Sequence, residues 1–307
     1  MVNTYKYKNV TWIDMENPTR EETRELMQNY GIHPLAAEEL ILPTTHSKVD
    51  KYPDFVYLIL HFPAWKHSRS NKEGAIQEID FIVGKDYIVT ARYDSIDPLH
   101  KFSKMFEVNS VLDHNPIVGE NGGYMFYYMM REIYHSLADE LEYMKDSLNE
   151  IEKKTFNGEE REMVLEISKT ARELLSFKHA TALHEEVLDS FSSASKNMFG
   201  PDFAHYMEAI KSEYLKVHKT VQSLTESVHE MRETNNSLLE TKQNKNIMTL
   251  TAITFITTII GIPVAIFEIN FKYEPIVGQP NDFWIFTGLV ACLSIGLAAI
   301  LAHKKWI

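Results

Sequence analysis

The chain has 307 residues, and its 43 acidic against 31 basic side chains leave a net charge of −12. That excess excludes a nucleic-acid binder, which needs a basic face to displace the counterions of the phosphate backbone. It suits a cation as partner, though charge alone speaks more for ordinary solubility. The single cysteine, Cys292, excludes a disulfide framework and lies inside an apolar run, where a thiol acts as a small apolar side chain.

The opening MVNTYKYKNV is polar and carries no leader-like apolar segment, so residues 1–246 are expected to remain in the cytosol. Runs rich in β-branched and aromatic residues predict strands at 10–14, 55–62, 76–83 and 87–91. Between the first two, PTREETRELMQNYG opens on Pro18 and Thr19 and closes on Gly31, which punctuates a helix at both ends. HPLAAEELIL (33–42) predicts a second helix, and KHSRSNKEG (66–74) an exposed hairpin loop. Residues 1–120 therefore read as an α/β domain.

Beyond Asn121-Gly122-Gly123 the pattern turns helical to about residue 191. Leu137, Leu141, Met144, Leu148 and Ile151 recur at helical spacing, while residues 124–192 hold fifteen acids and eight bases. Phe156-Asn157-Gly158 predicts the turn of an antiparallel acidic hairpin over 121–202, ended by a break at SSASKNMFGPD (192–202). From Phe203 no Gly or Pro occurs until Gly261. Ile210, Tyr214, Val217, Val221, Leu224, Val228, Met231, Asn235 and Leu238 alternate spacings of four and three, a heptad seam. One helix of about 60 residues, roughly 90 Å by rise alone, is expected, with 203–246 as a stalk. The seam requires partners, either the hairpin or other copies of the chain.

Two uncharged stretches follow, at 247–267 and 283–302, each long enough to cross a ~30 Å hydrocarbon core. They predict a two-helix transmembrane domain over 247–307, and a home in the cell membrane. Lys242 and Lys245 precede the first and Lys304 and Lys305 follow the second, which places both termini in the cytoplasm. In the first stretch Thr251, Thr254, Thr258, Gly261 and Ala265 form a small or hydroxylated stripe opposite Phe255, Ile256, Ile259, Ile260 and Ile262. Such a stripe packs closely against another helix or lines a water-filled path.

The segment Ala265-Ile266-Phe267-Glu268-Ile269-Asn270-Phe271-Lys272-Tyr273-Glu274-Pro275 resembles the end of the pore helix in CorA magnesium transporters, where Gly-Met-Asn is followed by an aromatic, a Tyr and a Pro. The ending His303-Lys304-Lys305-Trp306-Ile307 is similar to that family's lysine-rich, Trp-containing terminus. Trp12-Ile13-Asp14, Pro18-Thr19, Tyr30-Gly31-Ile32-His33-Pro34-Leu35-Ala36, Lys48-Val49 and Gly84-Lys85-Asp86-Tyr87 resemble its cytosolic domain.

The resemblance implies an α+β subunit with an N-terminal cytosolic α/β domain, an acidic helical hairpin, a long stalk and pore helix, and a second transmembrane helix. Five copies would form a homopentameric funnel in the lipid bilayer. It implies magnesium influx through an axial pore, with Asn270 as a ring at the outer mouth beside Glu268 and Ile269. Asn244, Leu250, Thr254, Thr258 and Gly261 would line the pore. Family carboxylates that hold regulatory magnesium have Glu208 and Glu213 as their nearest counterparts, with Ala209 where an acid is expected.

Glu268-Ile269-Asn270 departs from Gly-Met-Asn. A Glu reaches the backbone angles open to Gly at a cost of about 1–2 kcal/mol, so the turn is made differently here. The Ile is similar to the Gly-Ile-Asn of related zinc transporters, which keeps zinc, cobalt or nickel open as the ion. A non-conducting, membrane-anchored cation sensor or scaffold is the alternative outside transport. Of the thirteen histidines, His179 and His184 stand five apart, off a common helix face, and read as solvated or capping. With no phosphate-cradling Gly loop and no nucleophile–base pattern, an enzyme is not expected.

Overall fold

The computed structural model describes residues 1–64, 76–94, 96–112, 121–267 and 281–303. They form two compact units, Met1–Arg232 and Glu233–Ile307.

The first unit opens with β1 (Val2–Tyr7) and β2 (Val10–Glu16), followed by α1 (Arg20–Tyr30) and α2 (Pro34–Glu39). Then come β3 (Lys48–Lys51), β4 (Phe55–Pro63), β5 (Ile76–Gly84), β6 (Tyr87–Arg92) and α3 (Asp97–Leu112). The six strands make one sheet in the order β1-β2-β6-β5-β4-β3. β2 and β6 run parallel, and the other pairs are antiparallel. The four expected strands are the four central ones. β1 (VNTYKY) and β3 (KVDK) are edge strands, and their lysines and polar residues give no apolar run to read. The 66–74 loop lies outside the described residues.

Helix α1 starts where its capping signal placed it. Thr19 Oγ1 accepts from Glu22 N, Glu22 Oε2 accepts from Thr19 N, and Gly31 closes the helix at φ 66°. The second helix is shorter than expected: α2 ends at Glu39 with Leu40 as its cap, not at residue 42.

Three long helices follow: α4 (Gly122–Phe156), α5 (Glu160–Ala180) and α6 (His184–Phe199). The hairpin turn falls at Asn157-Gly158, as predicted, and its returning arm is broken at 181–183. The break expected over 192–202 shrinks to the residues after Phe199. Phe191 and Ser195 stay buried on the inner face of α6, so the serines do not end it. Gly122 starts α4 against the β5–β6 turn, its N–H donating to Lys85 O at 2.8 Å. A Cβ there would fall on Gly84 O and Tyr87 O, so no larger residue fits.

The last helices are α7 (Phe203–Phe267) and α8 (Asp282–His303). Up to Val228 the α7 seam is buried in the same cluster as Leu137, Leu141, Met144, Leu148 and Ile151 of α4 and Ile167 and Leu174 of α5. The hairpin is thus the seam's partner over this stretch. The cluster continues onto one face of the sheet, through Trp12, Leu58 and Phe81, while α1 and α2 cover the other face through Ile13, Leu26, Ala37 and Ile59.

Two hydrogen-bonded sets of polar side chains are buried in this core. Trp12 Nε1 donates to Thr90 Oγ1 (2.9 Å), whose hydroxyl donates to Asp14 Oδ1 (2.8 Å). Arg92 Nη2 reaches Asp14 Oδ2 at 3.1 Å and Glu16 Oε2 at 3.2 Å. His184 is fully buried, contrary to its solvated reading. One of its ring nitrogens, Nδ1, meets Tyr134 Oη at 2.9 Å, and the other, Nε2, meets His61 O at 2.7 Å. A histidine at the start of α6 thereby fastens the helices to β4. Burial pushes its pKa down to about 4, only partly opposed by the bond to His61 O.

Two outcomes follow. Arg92→Met leaves Asp14 buried without its cation and lowers unfolding free energy by about 3–5 kcal/mol, measurable by denaturant titration. His184 must stay neutral when folded, while the unfolded chain protonates it near 6.5. Its contribution is therefore present at neutral pH and declines as pH falls from about 6.5 to about 4, by roughly 3 kcal/mol in all. Stability of His184→Gln, measured by urea unfolding over that window, is expected to fall less steeply than that of the wild type.

Candidate ion path

Helix α7 continues into the second unit and contains a window apolar and long enough to cross a membrane. Helix α8 carries a shorter apolar stretch, Phe283–Gly296. Large apolar side chains stand exposed on both: Leu250 is 66% exposed, and Ile253, Phe255, Ile262, Trp284 and Ile295 are also open. Water would penalise each such side chain, so lipid or further protein must cover them.

The five pore-lining residues expected from the sequence all lie on α7 and all are exposed in the single chain. At 3.6 residues per turn, Leu250, Thr254, Thr258 and Gly261 fall within an arc of about 80°, and Asn244 lies about 40° beyond it. A Cβ added at Gly261 would meet nothing within 4 Å, so this end of the stripe is open.

The hydroxyls on the stripe have a defined polarity. Thr254 Oγ1 donates to Leu250 O at 2.9 Å, and Thr258 Oγ1 donates to Thr254 O at 2.8 Å. Each threonine spends its one proton on its own helix. This satisfies the donor within the helix, at a slight cost to the ladder, and makes a hydroxyl tolerable among apolar residues. What faces outward is an oxygen with free lone pairs, an acceptor suited to the water shell of a cation.

The outer-mouth residues Glu268, Ile269 and Asn270 lie outside the described residues. The two acids expected to hold regulatory metal are not brought together. Glu208 is exposed, while Glu213 is half-buried and pairs with Lys216 at 2.8 Å. Five residues apart, they point about 140° away from each other around α7. Among the described residues no three His, Cys, Asp or Glu side chains converge where they could hold a metal ion.

Sequence reasoning passed over the carboxyls within β5. Glu78 and Asp80 are buried in the sheet, and acids inside the run IQEIDFIVG were the available signal.

Comparison with known proteins agrees in its extent. The family described as CorA-like Mg2+ transporter protein matches residues 7–305. The cobalt/magnesium transport protein CorA of Methanocaldococcus jannaschii is 23% identical over 304 residues, covering 96% of this chain and 91% of its own. The protein of the same name from Thermotoga maritima is 18% identical over 298 residues, covering 97% and 83%. The complete structure of the M. jannaschii CorA magnesium transporter superposes with a TM-score of 0.83 at 20% identity, covering 99% of this chain and 93% of that one. With a match that runs from the first strand pair through the last helix, the chain belongs to the CorA-like Mg2+ transporter family.

Proposed function

We propose that five copies of this chain surround an axial pore and let magnesium into the cell down its electrochemical gradient. The observation that carries the reading is the α7 stripe: exposed threonine oxygens whose protons are turned back onto the helix, in a chain of the CorA family. Conduction requires acceptors strong enough to order the ion's water shell and weak enough to release it, and neutral oxygens meet both conditions.

In this reading α7 and α8 both cross the bilayer, and both chain ends lie in the cytoplasm. Thr254, Thr258 and Gly261 line the membrane part of the pore, with Leu250 and Asn244 towards the cytosol. Asn270 forms a ring of amide oxygens at the outer mouth, next to Ile269 and Glu268. Any regulatory magnesium near Glu208 or Glu213 would need groups from a neighbouring copy, because Glu213 is already ion-paired within its own helix. Cobalt is the second ion to consider, since two relatives carry both metals in their names.

The test uses purified protein in liposomes holding a magnesium-responsive dye, under an inside-negative potential. Magnesium uptake is expected in the wild type. Asn270→Ala is expected to abolish it while oligomer size and melting temperature stay unchanged; wild-type uptake by that variant would move the selectivity site elsewhere.

Glu268 gives a separate outcome. A ring of carboxylates at one mouth repels itself and therefore favours any divalent ion that relieves the repulsion. Glu268→Gln is expected to weaken the inhibition of magnesium flux by competing cobalt, and Glu268→Gly to weaken it as far. Inhibition curves that superimpose on wild type would mean that Glu268 faces away from the ion path.

A further inference from the structure

Glu78 and Asp80 alternate on β5, so both point to the face of the sheet covered by α1 and α2, beside Tyr57 and His61 of β4. Glu78 is 6% exposed and Asp80 fully buried. Each carboxyl has one oxygen well supplied with donors. Glu78 Oε2 accepts from Thr44 N (2.7 Å) and lies 3.2 Å from His61 Nε2. Asp80 Oδ2 accepts from Tyr57 Oη at 2.9 Å and from Tyr93 Oη at 3.5 Å. The remaining oxygens, Glu78 Oε1 and Asp80 Oδ1, are buried and have no donor. The two carboxyls stand two residues apart on the same buried face of one strand, each with an oxygen that finds no donor. Two acceptor-only oxygens can bond to each other only through a proton.

We propose that Glu78 and Asp80 hold one proton between Glu78 Oε1 and Asp80 Oδ1 at neutral pH, and that this pair is a proton-binding switch in the soluble unit. Burial, reinforced by the charge of Glu78, holds the Asp80 carboxyl well above its ordinary range. His61 is the counter-group. Burial opposes its charge, but its bonds to Glu78 and Thr44 O prevail and raise its pKa. Glu39 and Asp50 also face this cluster, and both are bound by Lys48, whose ammonium lies 5.5 Å from the Tyr57 ring centre. No cation touches the pair itself among the described contacts apart from His61 when charged.

Loss of the shared proton would set two charges on neighbouring inward positions of β5. The strain falls on Thr44, which ties the segment after α2 to Glu78 through both its N–H and its hydroxyl. Alkaline pH is therefore expected to loosen that segment from the sheet. This device lies in the soluble unit and does not rest on the transport reading. The folded chain keeps a proton that the unfolded chain releases near 3.8, so the Asp80 contribution to stability falls as pH rises from there through its folded value.

Infrared difference spectroscopy of the full chain in detergent, titrated from about pH 6 to 10 in light and heavy water, reads the proton directly. A protonated-carboxyl stretch is expected at neutral pH, shifted by deuterium and lost in alkali. Asp80→Asn, whose amide keeps the protonated shape and can donate to Glu78, should lack that band, and so should Glu78→Gln. Absence of the band in wild type at neutral pH overturns the proposal without any variant, as does a band that survives both substitutions. Melting provides the second readout. The melting temperature of Asp80→Asn should rise relative to wild type by about 2–4 °C for each pH unit above neutrality, and parallel curves would overturn the proposal.

Discussion

Six seam residues of α7, from Ile210 to Val228, lie buried in one cluster with the hairpin helices, and the roles open to the remainder of the chain depend on that contact. Each such apolar side chain contributes roughly 1.5–3 kcal/mol when fully removed from water. Together they hold α7 against α4 and α5 far more firmly than helix propensity could. A seam used within the chain cannot also join copies of it. Over this stretch any neighbouring copy would have to meet it through other surfaces, and any convergence of α7 helices has to occur beyond Val228.

The core around that seam accepts polar groups on strict terms. Asp14 and Arg92 are buried as a pair with Thr90 and Trp12 completing their hydrogen bonds. Such a pair contributes little net stability but penalises any register in which the partners miss each other, and β2 and β6 are the one parallel pair in the sheet. His184 plays the same part between the helices and β4, as a neutral ring with both nitrogens engaged. Glu78 and Asp80 depart from this pattern, since two of their oxygens have no ordinary donor.

Elements with strong local signals were legible in the sequence. The start of α1 at Pro18-Thr19, its Gly31 terminus, the four central strands and the turn at Asn157-Gly158 all follow from neighbouring residues. What escaped was set by tertiary context. β3 is a strand only because β4 offers its edge, and α6 passes through its serines because Phe191 and Ser195 pack inward. The heptad seam was visible, yet its partner was not, because a helical bundle within one chain and a coiled coil between chains use the same spacing. The burial of His184 has no signature at all in the residues around it. Of the candidate ion path, the threonine stripe was legible from periodicity, whereas the direction of its hydroxyl protons needed coordinates.

Beyond Val228 the chain changes its solvent. From Ile247 onward its exposed side chains become largely apolar, with Thr254, Thr258 and Gly261 on one arc, and a polar stripe on an apolar helix is satisfied most simply by the same stripe on other copies. Convergence of five α7 helices on that arc is the central claim. Native mass spectrometry of the full chain released from detergent tests it most directly. A single species at five times the 35.6 kDa chain mass is the expected result, and a monodisperse monomer would contradict it.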